Sequence, residues 1–264
     1  MTNFDEDAAL EFATTVAEAA GKTMLEYFQI GVATDFKSDD TPVTIADKAI
    51  NEMVIQKITT AYPDHSVLGE EASNMQANST YTWVCDPIDG TTAFSYGMPT
   101  NVFSLILTRE GQPILGVVLD PYMQRLYTAQ KGKGAFVNGQ KMRINNTPLE
   151  KTFLGLASLR SPFIDAPKLH YLLEQQGVHR LATASTIYEG MLVASGQLGG
   201  QIYLNSHTYD AVASKLFVEE AGGKVTDLFG NEQNYDEDIK GIIATNGLFH
   251  DELLAIVQQV KLPS

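Results

Sequence analysis

The segment Trp83-Val84-Cys85-Asp86-Pro87-Ile88-Asp89-Gly90-Thr91-Thr92 ends an apolar run in two carboxylates three positions apart, followed by a glycine and two hydroxyls. Gly69-Glu70-Glu71 stands just upstream. A carboxylate at the end of a buried strand needs a partner. Asp86 and Asp89 cannot serve each other, so a cation is the natural one. The Ile88 carbonyl, turned outward in so tight a turn, offers a further hard oxygen. A helix opening after Gly90 would aim backbone N–H groups at an anion. This is the minimum equipment for metal-assisted attack on a phosphate ester.

Each residue also has a plainer reading. Asp-Pro and Asp-Gly are ordinary turn dipeptides. Glu70-Glu71, taken alone, reads first as an exposed acidic pair. Asp210, just after Thr208, reads as a charge satisfying the donors of a helix start. Taken together they place four carboxylates at strand ends and helix starts, where α/β proteins build active sites.

Other chemistries are poorly supplied. The chain has no Gly-x-x-x-x-Gly-Lys-Ser/Thr loop, no Gly-x-Gly-x-x-Gly after a strand and no Gly-x-Ser-x-Gly elbow. Histidines 65, 170, 179, 207 and 250 lack zinc spacing, and oxygen ligands point to Mg²⁺ or Mn²⁺. Cys85 lies within an apolar run and reads as core. Lys131-Gly132-Lys133-Gly134 reads as a solvated hairpin tip.

The elements that must position these residues follow from hydrophobic period and turn chemistry. Ala8 to Phe28 is an amphipathic helix carrying Leu10, Ala13, Ala17, Ala20, Met24 and Phe28. Polar Lys37 to Pro42 breaks the pattern. Thr44 and Asp47 form a capping-box variant opening a second helix, with Ile50, Val54 and Ile58 on one face. Pro63 to His65 is a turn and Ser66 to Gly69 a short strand. Strands are expected at Tyr81–Cys85, Val102–Thr108, Ile114–Leu119, Leu126–Ala129 and Ala135–Val137, in a largely antiparallel meander. Asn138-Gly139 signals a two-residue hairpin.

After about Pro148 strands and helices alternate: strand Phe153–Ala157, helix Lys168–Gln176, helix Ile187–Ser195, strand Gln201–Leu204, helix Tyr209–Ala221, strand Ile242–Thr245 and helix Asp251–Val260. The expectation is an α+β domain over 1–147, carrying most metal ligands, and an α/β domain over 148–264, contributing Asp210 and the leaving-group pocket.

The 264 residues are 44% hydrophobic and 19% charged, enough to bury a sizeable core. A net charge of −14 repels nucleic acid and anionic membranes, so neither is an expected partner. An acidic protein that binds phosphate is helped by bound cations. The single cysteine excludes an internal disulfide and suits a reducing compartment. The segment Met1 to Asp7 is acidic where a signal peptide would be basic, and no apolar run is long enough to span a bilayer. A soluble cytoplasmic protein is expected.

Gly69-Glu70-Glu71, Asp86-Pro87-Ile88-Asp89-Gly90-Thr91-Thr92 and Tyr209-Asp210-Ala211 with Glu220-Ala221-Gly222-Gly223 resemble, in order and spacing over nearly the whole chain, the inositol monophosphatase family. Its members are Mg²⁺-dependent, lithium-sensitive phosphomonoesterases. The resemblance implies a layered αβαβα sandwich, shared with fructose-1,6-bisphosphatases, and a homodimer. It implies that Glu70, Asp86 and the Ile88 carbonyl hold a first Mg²⁺, that Asp86, Asp89 and Asp210 hold a second, and that a weaker third ion sits near Glu70. Mn²⁺ is a possible substitute. Glu70 and Thr91 would position the attacking water, Asp47 would orient the Thr91 hydroxyl, and the N–H groups of Gly90 and Thr91 would hold the phosphate. Asp89, Ser185, Tyr203 and Asp210 would contribute to the substrate pocket.

Three positions depart from the family pattern. Ala93 stands where Asn is usual, Tyr209 where Trp is usual, and Tyr203 where inositol phosphatases often carry a ring-contacting Glu. None is a metal ligand; all bear on the leaving group. Thr41-Pro42-Val43-Thr44-Ile45-Ala46-Asp47 is closer to the histidinol-phosphatase and nucleotide-bisphosphatase branches. A small phosphorylated metabolite is the expected partner, with myo-inositol 1-phosphate leading. Histidinol phosphate, fructose 1,6-bisphosphate and 3′-phosphoadenosine 5′-phosphate are the alternatives. A non-catalytic binding protein on the same scaffold is the remaining class.

Overall fold

The structure is a computed structural model that describes residues 4–28, 34–36, 42–156 and 158–262. The polar stretch at 37–41 and Ala157, the expected end of a strand, lie outside the described residues. In chain order the elements are α1 (Glu6–Tyr27), β1 (Thr34–Phe36), β2 (Pro42–Thr44), α2 (Ile45–Ala61), β3 (Ser66–Gly69), β4 (Tyr81–Asp89), α3 (Thr91–Ser95), β5 (Val102–Arg109), β6 (Gln112–Asp120), β7 (Arg125–Gln130), β8 (Gly134–Val137) and β9 (Gln140–Lys141). A 3₁₀ turn at Leu149–Lys151 leads to β10 (Phe153–Gly155), α4 (Ala166–Gln175), β11 (His179–Leu181), α5 (Thr186–Ala194), β12 (Gly200–Tyr203), α6 (Val212–Glu220), β13 (Lys224–Thr226), β14 (Ile242–Thr245) and α7 (His250–Gln258).

Strands β3 to β9 form a seven-stranded sheet in sequence order, antiparallel except where β3 lies parallel to β4. A second sheet has the order β11-β10-β12-β14-β13. Period-two alternation in the large sheet feeds two cores. Trp83, Cys85, Phe103 and Leu105 pack with Ala13, Ala17, Ile50 and Val54 of α1 and α2. Val84, Ile106 and Val118, on the other face, pack with Ile187, Met191 and Phe217 of α5 and α6, and this core reaches Ala244 of the second sheet. Leu154, Ile202 and Ile243 pack outward on Leu169, Leu173, Leu253 and Ile256 of α4 and α7. The layers are therefore α1/α2, large sheet, α5/α6, small sheet, α4/α7: the expected αβαβα sandwich.

Local chemistry explains most boundaries. Asp5 caps α1 by accepting the Asp7 and Ala8 N–H groups at 3.1 and 3.0 Å, so the helix starts two residues before the expected Ala8. The Thr44 N–H donates to the Asp47 carboxylate at 2.9 Å, one half of the expected capping box. Asn138 and Gly139 both have positive φ, 47° and 76°, and join β8 to β9 as expected. β6 begins at Gln112 despite Pro113, because a register shift at Leu107/Thr108 absorbs the residue without an N–H. The Lys131–Gly134 tip is not merely solvated. Its Gly132 and Gly134 N–H groups each donate to the Glu220 carboxylate at 2.7 Å, docking the hairpin on the end of α6.

His250 is 1% exposed, between the hydroxyls of Thr226 and Thr245 at 3.0 Å each. Burial depresses its pKa to about 4. The unfolded chain takes up this proton near pH 6.5 and the folded chain does not, so stability present above that pH is lost as pH falls toward 4. In a His250→Gln protein, which keeps a hydrogen-bonding group there, the melting temperature is expected to fall less between pH 6.5 and 4 than in the parent, as read by differential scanning calorimetry.

Candidate active site

The site begins where β3 and β4 end side by side. Gly69 is in register with Cys85, and the Glu70 N–H donates to the Cys85 carbonyl at 3.1 Å, so Glu70 and Asp86 leave adjacent strands together. β4 does not stop at Cys85 but runs on to Asp89. Asp86 pairs with Ser104 and Asp89 with Val102, and the register breaks between them, at Pro87 and Ile88. That irregularity is what allows two carboxylates three apart to serve one place. Asp86, Asp89 and Asp210 each bring an oxygen within 4.8 Å of the others'.

Asp86 is 1% exposed, and among the described residues neither of its carboxylate oxygens has a hydrogen-bond partner. Burial pushes its pKa well up, and the charges of Glu70, Asp89 and Asp210 add to the effect. Asp89 is 5% exposed and raised to about 7, by burial and then by Asp210. It is held by the Ser185 hydroxyl and by the N–H groups of Ile187 and Thr186, at 2.6 and 3.2 Å. A carboxylate of β4 thus caps the N-terminus of α5. Ser185, expected in the substrate pocket, is turned onto Asp89 and is 2% exposed; its neighbours Ala184 and Thr186 line the cavity instead.

Asp210 lies in the turn 208–211 rather than in the helix expected from Tyr209. The Thr208 hydroxyl donates to the Tyr235 carbonyl at 3.0 Å, and α6 starts only at Val212. Tyr203, seven residues upstream, donates its phenolic proton to Asp210. Asp47, fully buried in the first turn of α2, accepts the hydroxyls of Thr44 and Thr91, the latter at 3.1 Å. The Thr91 hydroxyl also lies 3.1 Å from the Ile88 carbonyl. Gly90 precedes α3 with φ of 91°, and a Cβ there would fall 2.8 Å from the Ala184 carbonyl. Both backbone conformation and space demand glycine.

A cavity of about 440 Å³ opens over Glu70, Gly90, Thr91 and Asp210 and continues to Ser158, Glu189, Tyr203 and Asn205. The group is all oxygen, and a buried carboxylate has both oxygens unbonded, which fits a hard divalent cation. Cys85 is fully buried with its thiol pKa raised by burial, consistent with core and not with a nucleophile.

The profile of the inositol monophosphatase family matches residues 5–262. The chain belongs to the inositol monophosphatase family. It is a phosphatase, a hydrolase of phosphate esters. It is 32% identical to a histidinol-phosphatase of Chlorobaculum parvum over 94% of this chain and 96% of that one. It is 31% identical to human inositol monophosphatase 1 over 95% and 94%. An inositol monophosphatase structure from Thermotoga maritima superposes with a TM-score of 0.84 at 27% identity, covering 96% of this chain and 97% of that one.

The departures of this family member now have places. Ala93 is fully buried within α3. Tyr209 stacks on His207, their rings 5.2 Å apart and 5° from parallel. Tyr203 bonds Asp210. Sequence reasoning missed Glu189, Ser158, Ala184 and Thr186 in the cavity wall. Glu189 did leave a signal: it is the only charged residue of α5, a helix otherwise apolar on most sides. Among the described residues, no helix is long and apolar enough to cross a membrane.

Proposed function

We propose that this phosphatase is a Mg²⁺-dependent monoesterase acting on small esters that carry a single phosphate. The observation that carries the reading is Asp86, buried with both oxygens unbonded among three other carboxylates. Glu70, Asp86, Asp89, Asp210 and the Ile88 carbonyl would hold two Mg²⁺ ions, with a third near Glu70. Mn²⁺ would substitute and Li⁺ would inhibit. When bound, such ions offset the ester's negative charge and acidify a coordinated water.

The chain's own groups do the positioning. Asp47 accepts the Thr91 proton, leaving the hydroxyl's lone pairs free to accept from a water also held by Glu70. The N–H groups of Gly90 and Thr91, at the start of α3, would hold phosphate oxygens. Residues 1–147 would supply most ligands and residues 148–264 would supply Asp210 and the leaving-group wall. The test is phosphate release from p-nitrophenyl phosphate with and without Mg²⁺, and with Li⁺. Mg²⁺-independent hydrolysis would sink the reading, and no hydrolysis would favour a binding protein. Thr91→Val is expected to lower kcat by roughly 10²-fold or more with KM little changed.

No Lys, Arg or His lines the cavity among the described residues. Beyond the ions themselves, a second phosphate would meet Glu70, Glu189 and Asp210 with no cationic side chain among the described residues to receive it. Myo-inositol 1-phosphate and histidinol phosphate fit better than fructose 1,6-bisphosphate or 3′-phosphoadenosine 5′-phosphate. Either monophosphate is expected to exceed either bisphosphate by about tenfold or more in kcat/KM, ~1.4 kcal/mol. The single cysteine supports a cytoplasmic setting. The family resemblance supports a homodimer, which sedimentation would report at twice the 28.8 kDa chain mass.

A further inference from the structure

Glu189 has no part in the proposed ion site, yet it forms part of the cavity wall while only 2% exposed. Its Oε1 accepts the Thr183 N–H at 2.9 Å and the Thr183 hydroxyl at 3.2 Å. Among the described residues Oε2 has no hydrogen-bond partner. Oε2 also lies over Gly155, where an added Cβ would sit 2.7 Å from it, so the strand leaves room for this carboxylate. Among the described residues no cationic side chain bonds Glu189, and none lines the cavity. Burial raises its pKa to about 7, as expected of a carboxylate without a counter-ion.

A buried acid of the cavity wall with one oxygen unbonded is costly unless something arrives to complete it. A substrate hydroxyl could donate to Oε2 but would leave the charge uncompensated. An ammonium group would do both, through a charge-assisted bond. We infer that Glu189 selects the leaving group, and that the substrate class is the phosphate ester of an amino alcohol. This rests on the monoesterase reading above. In the reaction, water oxygen bonds to phosphorus, the ester P–O bond breaks, and the amino alcohol leaves carrying a proton while inorganic phosphate remains.

The experiment compares 2-aminoethyl, 3-aminopropyl and 4-aminobutyl phosphates with their ω-hydroxyalkyl counterparts, in Mg²⁺, using the full chain. At least one amino ester is expected to exceed its hydroxyl partner by about tenfold or more in kcat/KM, chiefly through KM. In Glu189→Gln that ratio is expected to fall toward one. In Glu189→Asp, which keeps the charge but is one methylene shorter, the preference is expected to return and to move toward a longer amino ester. Equal use of amino and hydroxyl esters by the parent protein would overturn the inference even if the variants fail to fold. So would an unchanged ratio in Glu189→Gln. Wild-type hydrolysis of p-nitrophenyl phosphate separates the two levels: if it is absent or Mg²⁺-independent, the underlying reading has failed; if it is present, a failed ratio condemns only the role of Glu189.

Discussion

Asp86→Asn is expected to lose about 10³-fold or more of Mg²⁺-dependent kcat/KM, ~4 kcal/mol, while its metal-free form melts at a higher temperature than the metal-free parent at pH 8. The two effects have one origin. Asp86 is buried without a hydrogen bond and faces three carboxylates, an arrangement that is unfavourable until positive charge is supplied. The amide removes one charge from the cluster and can donate to its neighbours. Activity needs the charge that stability does not. Asp210→Asn is expected to lose activity for the same reason. Steady-state kinetics and calorimetry on the same preparations check both halves. Intact Mg²⁺-dependent hydrolysis in each variant would remove these carboxylates from the reaction.

The second expectation concerns pH. Metal-free protein should lose stability between pH 6.5 and 8, and saturating Mg²⁺ should abolish most of that loss. Asp86 and Asp89 have folded pKa values above their unfolded ones, Asp89 at about 7. Groups of that kind contribute stability that is fully present below the unfolded value near 4 and is lost as pH rises through the folded value. Glu189, also raised to about 7, acts in the same direction. His250 acts oppositely, but only below pH 6.5, so it leaves this window clear. Bound cations favour the ionised carboxylates and so flatten the slope. Melting curves in EDTA and in Mg²⁺ across the window provide the check. A metal-free melting temperature that rises from pH 6.5 to 8 would contradict the assigned cluster.

Much of this arrangement was legible in the chain. The elements followed from hydrophobic period and turn residues, because α1, α2 and the β4–β8 meander each bury a face marked by their own spacing, whereas their stacking into five layers was implied by the family resemblance. Short elements escaped: β11 is His179-Arg180-Leu181 and β13 is Lys224-Val225-Thr226, three residues each and polar, held by sheet neighbours and not by their own pattern. The onset of α6 was misread because Thr208 spends its hydroxyl on Tyr235. At the site, the proximity of Asp86, Asp89 and Asp210 agreed with the motif. The orientation of Ser185 and the cavity-side position of Glu189 depended on how α5 meets β4, a long-range contact with no local signature.

That meeting of α5 and β4 makes the protein report on itself. The Ile187 amide proton is held by an oxygen of Asp89, a group expected to sit beside the ions. Filling the site should draw electron density from that oxygen and alter the bond. The chemical shift and exchange lifetime of a single backbone amide would then titrate with cation concentration, giving a label-free gauge of occupancy that needs no substrate at all.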